Sequence, residues 1–247
     1  MFLVVLLAAP AGASGLVDAI KRVKPSVVGV GTYKDIRRPP SNLLGTGFVV
    51  ADGLHVVTNA HVVPRRIDAA NKERLVVFVG AGDDARTVAA TKVAEDLAHD
   101  VAILRIDGKP LPPLALGDEK DVAEGQQIAF TGFPIGAVLG LYPVTHRGIV
   151  SARTPIAIPQ VTPGRLDPKM IKRLREKFEV FQLDATAYPG NSGSALYDAE
   201  TGEVIGIVSS VFVKQSKEKV LSDPSGITYA VPISYARKLL RDAGLLK

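Results

Sequence analysis

Short runs of β-branched residues, cut by glycine, aspartate and proline at turn-like intervals, constrain the fold of this chain more than any other feature. From Pro25 onward the runs Ser26–Thr32, Gly47–Val50, Leu54–Thr58, Leu75–Val79, Val88–Ala94 and Val101–Ile106 follow one another. Such residues fit a pleated, half-buried surface, so the pattern predicts an all-β unit. Gln127–Thr131, His146–Ala152, Val180–Leu183, Glu203–Val211 and Ile227–Val231 repeat it, with Asp198–Gly202 as a hairpin loop. Two β units follow, with the boundary in the polar, turn-rich stretch Gly117–Gly125. Residues 14–120 form the N-terminal half and 121–247 the C-terminal half.

Helical spacing appears in three places. Leu16, Ile20 and Val23 predict a short amphipathic helix before Pro25, capped by Ser14. Tyr235, Leu239 and Leu240 predict a closing helix over Ser234–Leu246, capped by Ser234. Met170, Ile171, Leu174 and Phe178 predict a helical insert over 164–180, whose basic excess reads as a solvated face.

The 247 residues contain no cysteine, which excludes a disulfide framework, a thiolate metal site and a thiol nucleophile. Four histidines without a His-Glu-x-x-His pair leave no helical zinc site, and neither phosphate-binding glycine loop occurs. No cofactor and no metal are expected. A net charge of +5 falls well short of a nucleic-acid-binding surface. Residues 2–9 are uncharged and apolar, and Ala11–Ala13 has the small-x-small form of a signal-peptidase site. Residues 1–13 therefore read as a signal peptide, although no basic residue precedes the run, and the protein as exported, periplasmic or secreted. The run is shorter than the roughly 20 residues that span a bilayer, so no permanent membrane span is expected.

Three strings carry chemistry: Thr58 to Val63 around His61, His99 to Leu104 around Asp100, and Gly190 to Ser194 around Ser192. A serine hydroxyl must lose its proton as it attacks, so it needs an imidazole in reach, and His61 is the candidate base. A carboxylate on the other ring nitrogen fixes the productive tautomer, the role given to Asp100. Glycines around Ser192 allow a tight turn that aims the backbone N–H groups of Gly190 and Ser192 at a developing oxyanion. No histidine follows Ser192, which excludes the α/β-hydrolase order. His61, Asp100 and Ser192 stand in the chymotrypsin order. Gly45, Gly47 and Gly53 read as turn devices, and His55, His99 and His146 as ordinary strand or surface residues.

These strings, with Pro25–Gly29, Gly45–Val50, Arg147–Ser151, Gln182–Ala185 and Tyr229–Ile233, resemble the trypsin-like serine proteases, specifically the HtrA/Deg branch, over residues 15–243. The resemblance implies two six-stranded antiparallel β-barrels with a C-terminal helix and the triad in the cleft between them. It implies a serine endopeptidase acting on unfolded or exposed polypeptides, in protein quality control or processing, and the trimers common in that branch. It places Thr186 where trypsin-type enzymes carry a carboxylate, so a preference for basic substrates is not expected. Thr186 and Ala187, with Val208, Ser209 and Ser210, are the expected substrate-binding wall, suited to small or medium apolar side chains. Asn191 takes the place of an aspartate that pairs with a new N-terminus, so zymogen cleavage is not implied. The PDZ domains usual in the branch are not expected here, and Ser194 stands where the branch often has glycine. The other reading is a catalytically weak module of the same fold that holds an extended peptide by strand addition.

Overall fold

The computed structural model describes residues 14–135, 140–156, 178–209 and 227–246. Among them, β1 (Val27–Tyr33), β2 (Ser41–Val50), β3 (His55–Thr58), β4 (Arg74–Val79), β5 (Arg86–Asp96) and β6 (Val101–Ile106) close into one antiparallel barrel. A second barrel closes from β7 (Gln127–Gly132), β8 (Val144–Ile156), β9 (Phe178–Asp184), β10 (Ala195–Asp198), β11 (Val204–Ser209) and β12 (Ile227–Pro232). Closure leaves neither sheet with a free edge, which removes the usual route to edge-to-edge association.

The apolar runs do not alternate cleanly with polar residues because these strands have two apolar faces to satisfy. In β3 and β6, Val56, Ala102 and Leu104 fill the first barrel, while Val57, Val101 and Ile103 point outward. In β7 and β10, Ile128, Phe130 and Leu196 fill the second barrel, while Ala129, Ala195 and Tyr197 point outward. The outward residues meet in a third core between the barrels. Successive side chains leave a strand on opposite faces, so a strand shared by two cores is apolar at every position. Each fully buried Val, Leu, Ile or Phe contributes about 1.5–3 kcal/mol of transfer free energy, so the barrels are coupled rather than tethered.

Two helices strap this interface. In α1 (Ser14–Val23), Ala19 and Val23 enter the shared core, and Arg22 donates to the carbonyls of Glu200 and Thr201 at the β10–β11 turn. In α2 (Ile233–Asp242), Ile233, Ala236 and Leu240 enter the same core, and Arg237 donates to the Leu116 and Gly117 carbonyls of the inter-barrel connection.

Several boundaries differ from the sequence reading. Ser234 lies inside its helix rather than capping it, and Pro232 holds the N-cap position of α2. Phe178–Val180, expected at the end of the helical insert, begin β9, because Phe178 and Val180 belong to the shared core and pair with Ile156 and Thr154. The rest of that insert, residues 164–177, lies outside the described residues, as do the expected signal peptide, residues 1–13, and Ser210. The strand β10 has no counterpart in the sequence reading. Its four residues carry no β-branched side chain and follow directly on the glycine turn at Ser192. Gly45 and Gly47 are not turn residues. They lie inside β2, where a Cβ on Gly45 would sit 2.7 Å from Val62 Cγ2 and 2.8 Å from the Ser192 carbonyl oxygen. Gly53, at φ +82°, does turn the chain.

Candidate active site

His61 lies on a short 3₁₀ turn, Ala60–Val62, directly after β3, and Asp100 sits at the tip of the β5–β6 hairpin. Since β3 and β6 are paired neighbours, two residues far apart in sequence arrive side by side. Asp100 adopts φ +57°, a left-handed conformation that costs a non-glycine residue about 1 kcal/mol and persists only where its surroundings impose it. Here Ala60 N–H and Asn59 Nδ2 both donate to its carbonyl, at 3.2 and 3.0 Å. Its carboxylate takes the His61 backbone N–H on Oδ1 at 2.9 Å and faces His61 Nδ1 through Oδ2 at 2.7 Å. The Asp100 side chain is 10% exposed and that of His61 31% exposed. The carboxylate is shielded from water while the far edge of the imidazole remains reachable. Such an acceptor keeps the proton on Nδ1 and leaves Nε2 free to take another.

Ser209 Oγ donates to the same Asp100 Oδ2 at 3.1 Å and is fully buried. The sequence pattern places it on the substrate wall. Its hydroxyl instead completes the shell of the carboxylate from the second barrel. Val208 is likewise turned into the core of its barrel, and its N–H and carbonyl pair with the Ser194 carbonyl and the Gly193 N–H. Its side chain is therefore no part of an exposed wall. Thr186 and Ala187 are half-buried, and Ala187 N–H donates to Thr228 Oγ1 at 3.1 Å.

Ser192 rides on the turn from Tyr188 to Ser194. Asn191 N–H returns to the Tyr188 carbonyl at 3.0 Å, with Pro189 and Gly190 between them and Gly190 at φ +101°. Proline then glycine of positive φ is the sequence signature of a type II turn. The Pro189 carbonyl accepts the Ile135 N–H at 2.7 Å. In a trans peptide the next N–H points the opposite way, so the Gly190 N–H is directed away from Ile135. A Cβ on Gly190 would run into the Phe133 carbonyl oxygen, so glycine is required for space as well as for φ.

Thr46 of β2 joins this turn to the first barrel, a role that sequence reasoning missed. Its N–H donates to the Ser192 carbonyl at 2.8 Å, its Oγ1 donates to the Gly190 carbonyl at 2.7 Å, and Phe133 N–H donates to Oγ1 at 3.1 Å. Thr58 Oγ1 in turn donates to the Thr46 carbonyl at 2.6 Å. The visible signal was the close spacing of glycines in Gly45–Gly47, which marks a strand that another backbone approaches. Beneath the turn, His146 Nε2 lies 3.4 Å from Asn191 Nδ2, and burial pushes the His146 ring below the ordinary imidazole pKa. The structure thus brings His61 and Asp100 into contact and docks the Ser192 backbone against β2, which pairs with the strand leading to His61. Among the described residues no group of three or more His, Asp or Glu is arranged to hold a metal ion.

The model of the trypsin-like peptidase domain matches residues 45–207. A probable periplasmic serine endoprotease, DegP-like, of Halomonas elongata is 34% identical over 194 residues, which are 78% of this chain and 33% of that protein. The mitochondrial serine protease HTRA2 of Bos taurus is 34% identical over 232 residues, covering 91% of this chain and 42% of that protein. The chain therefore spans well under half the length of these curated relatives. Among solved structures, an HtrA-type protease, AlgW with tripeptide, superposes with a TM-score of 0.64 at 28% identity. It covers 92% of this chain and 62% of the other. No helix among the described residues is long and apolar enough to cross a membrane.

Proposed function

The chain belongs to the trypsin-like peptidase family, in its HtrA branch, and from that premise we propose that it is a serine endopeptidase of unfolded or exposed polypeptides. Ser192 Oγ attacks the scissile carbonyl while His61 Nε2 takes its proton. The same proton passes to the leaving amine, leaving an acyl-enzyme that water opens by the reverse sequence. Asp100 orients the ring and stabilises the imidazolium, while the N–H groups of Gly190 and Ser192 receive the oxyanion. Thr186 and Ala187 offer no charge to the substrate side chain, which favours small or medium apolar residues at the cleavage site.

The observation that carries this reading is the shielded Asp100–His61 pair at 2.7 Å, with Ser209 of the second barrel bound to Asp100 and Thr46 of the first barrel bound to the turn of Ser192. The relatives named periplasmic support export, with a role in protein quality control or processing there. A fluorophosphonate probe reports an activated serine without a known substrate. We expect a single adduct at Ser192, absent in His61→Ala, located by mass spectrometry. A chain that remains unlabelled with and without added unfolded protein is instead the peptide-holding module.

A further inference from the structure

His146 takes no part in the reaction as described, yet its ring meets two side chains of the turn that carries Ser192, those of Tyr188 and Asn191. On β8 it stands opposite Phe130 of β7 and stacks on that ring, with 4.9 Å between centroids and 22° between planes. Tyr188 covers it from the turn, 6.0 Å away between centroids, and Asn191 Nδ2 lies 3.4 Å from its Nε2. An amide nitrogen only donates, so this contact requires a neutral imidazole with its lone pair on Nε2 and its proton on Nδ1. Asn191 is fully buried, and its Oδ1 has no hydrogen-bond partner among the described residues. That oxygen lies towards Gly132, where an added Cβ would meet it and Thr46 Oγ1 at 2.9 Å each and would overlap Ser194 Oγ. The amide is held at its nitrogen end, by a ring that can change from acceptor to donor.

We propose that His146 is a positioning residue for the reaction at Ser192, its neutral ring holding the Asn191 amide and, through it, the Gly190–Ser192 backbone, until protonation withdraws that hold. The inference rests on the reading of Ser192 as nucleophile. With a proton on Nε2, two donors face each other across the contact, and it is lost unless the amide turns over. Turning over would exchange Nδ2 and Oδ1, leaving the nitrogen on the Gly132 side of the side chain. Either response disturbs the residue that lies between the two oxyanion donors.

Among the described residues, the ring and hydrogen-bond contacts of His146 are with Phe130 of β7 and with Tyr188 and Asn191 of the turn. Of these only Tyr188 titrates, and a phenol gains charge in base rather than acid. The flanking Arg147 is engaged with Gln127 Oε1 at 2.9 Å. Among the described residues no ion pair reaches His146. Burial, which disfavours its charged form, makes it an acceptor near neutrality and a donor only in acid.

Two measurements on the full chain test this. Imidazole nitrogen NMR of wild type near neutrality should show His146 protonated at Nδ1, and Asn191→Ala should remove the hydrogen-bond shift at Nε2. In saturating fluorophosphonate kinetics, His146→Phe should slow the maximal labelling rate at Ser192 about tenfold, the weight of one net hydrogen bond. The half-saturating probe concentration should move less than about twofold. His146→Gln, which keeps an acceptor but cannot titrate, should recover most of that rate and reduce the acid limb of the pH profile from two protons to one. A neutral ring protonated at Nε2, or equal acid limbs in wild type and His146→Gln, would overturn the proposal. If His146→Phe does not fold, the wild-type tautomer and the His146→Gln profile still decide it. A wild type that never labels removes the nucleophile reading instead, while the tautomer still decides the contact.

Discussion

In the first barrel, Asp100 alone gathers five hydrogen-bond contacts, two on its carbonyl and three on its carboxylate, and His61 is fixed through two of them. In the second, Ser192 rides on a glycine turn whose carbonyls are held largely from outside it, by Thr46 of the first barrel and by Ile135. Both barrels close from six strands, so the contrast lies in the loops rather than the scaffold. A hairpin tip with redundant donors holds an acid and a base ready. A turn that depends on cross-barrel bonds makes the nucleophile answer to the interface. Acid–base geometry should therefore survive changes that disable the oxyanion turn.

The largest expected effect tests the first half of that contrast. Asp100→Asn keeps the shape but places an amide where His61 Nδ1 and Ser209 Oγ both need an acceptor, which favours the wrong tautomer. We expect kcat to fall by about 10⁴ with little change in KM. Gly190→Ala tests the second half. The φ of +101° and the Phe133 carbonyl exclude a Cβ, so the turn must reorganise and one oxyanion donor is lost. A fall of about 10² to 10³ in kcat should follow, while the low-field proton NMR signal of the His61–Asp100 pair persists. Loss of that signal would show that the two halves are not independent. Ser209→Ala removes one of three carboxylate donors and should lower kcat about tenfold or less.

The smallest effect is the acid dependence of stability, in which the depressed carboxylates and the depressed His146 act over different pH ranges. Asp52 and Asp96 have depressed pKa values, burial being outweighed for Asp52 by the Leu54 N–H and the His55 ring, and for Asp96 by the His99 ring and its neighbours' N–H groups. Folded carboxylates of lowered pKa stabilise above the unfolded value of 3.8, and that contribution is lost only as pH falls below it. His146 is also depressed, but from 6.5 and by burial, so the unfolded chain takes up its proton first and stability declines as pH falls below 6.5. Thermal melts between neutrality and mild acid should show a decline that His146→Gln removes. A decline equal in both proteins would place its origin elsewhere.

The strands of the first barrel were legible because their residues are β-branched and their turns carry glycine and aspartate. Val101–Ile106 was read to the residue. Less was legible where tertiary contact replaces local preference. β10 shows no strand signal, Phe178 looked helical, and Gly45 looked like a turn residue while serving a close approach to Ser192. The candidate triad was named from three strings in one order. By sequence pattern Ser209 belongs to the substrate wall, Thr46 has no role and His146 is an ordinary strand or surface residue.

Sequence by itself determined the all-β class, the absence of thiol chemistry, and the His61, Asp100 and Ser192 candidates, because composition, turn chemistry and motif order are local properties of the chain. Only the tertiary structure decided which side chains surround those three. Ser209 reaches Asp100 across 109 positions, and Thr46 reaches Gly190 across 144. Contacts of that range follow from how two closed barrels share a third core, and a linear pattern does not encode that packing.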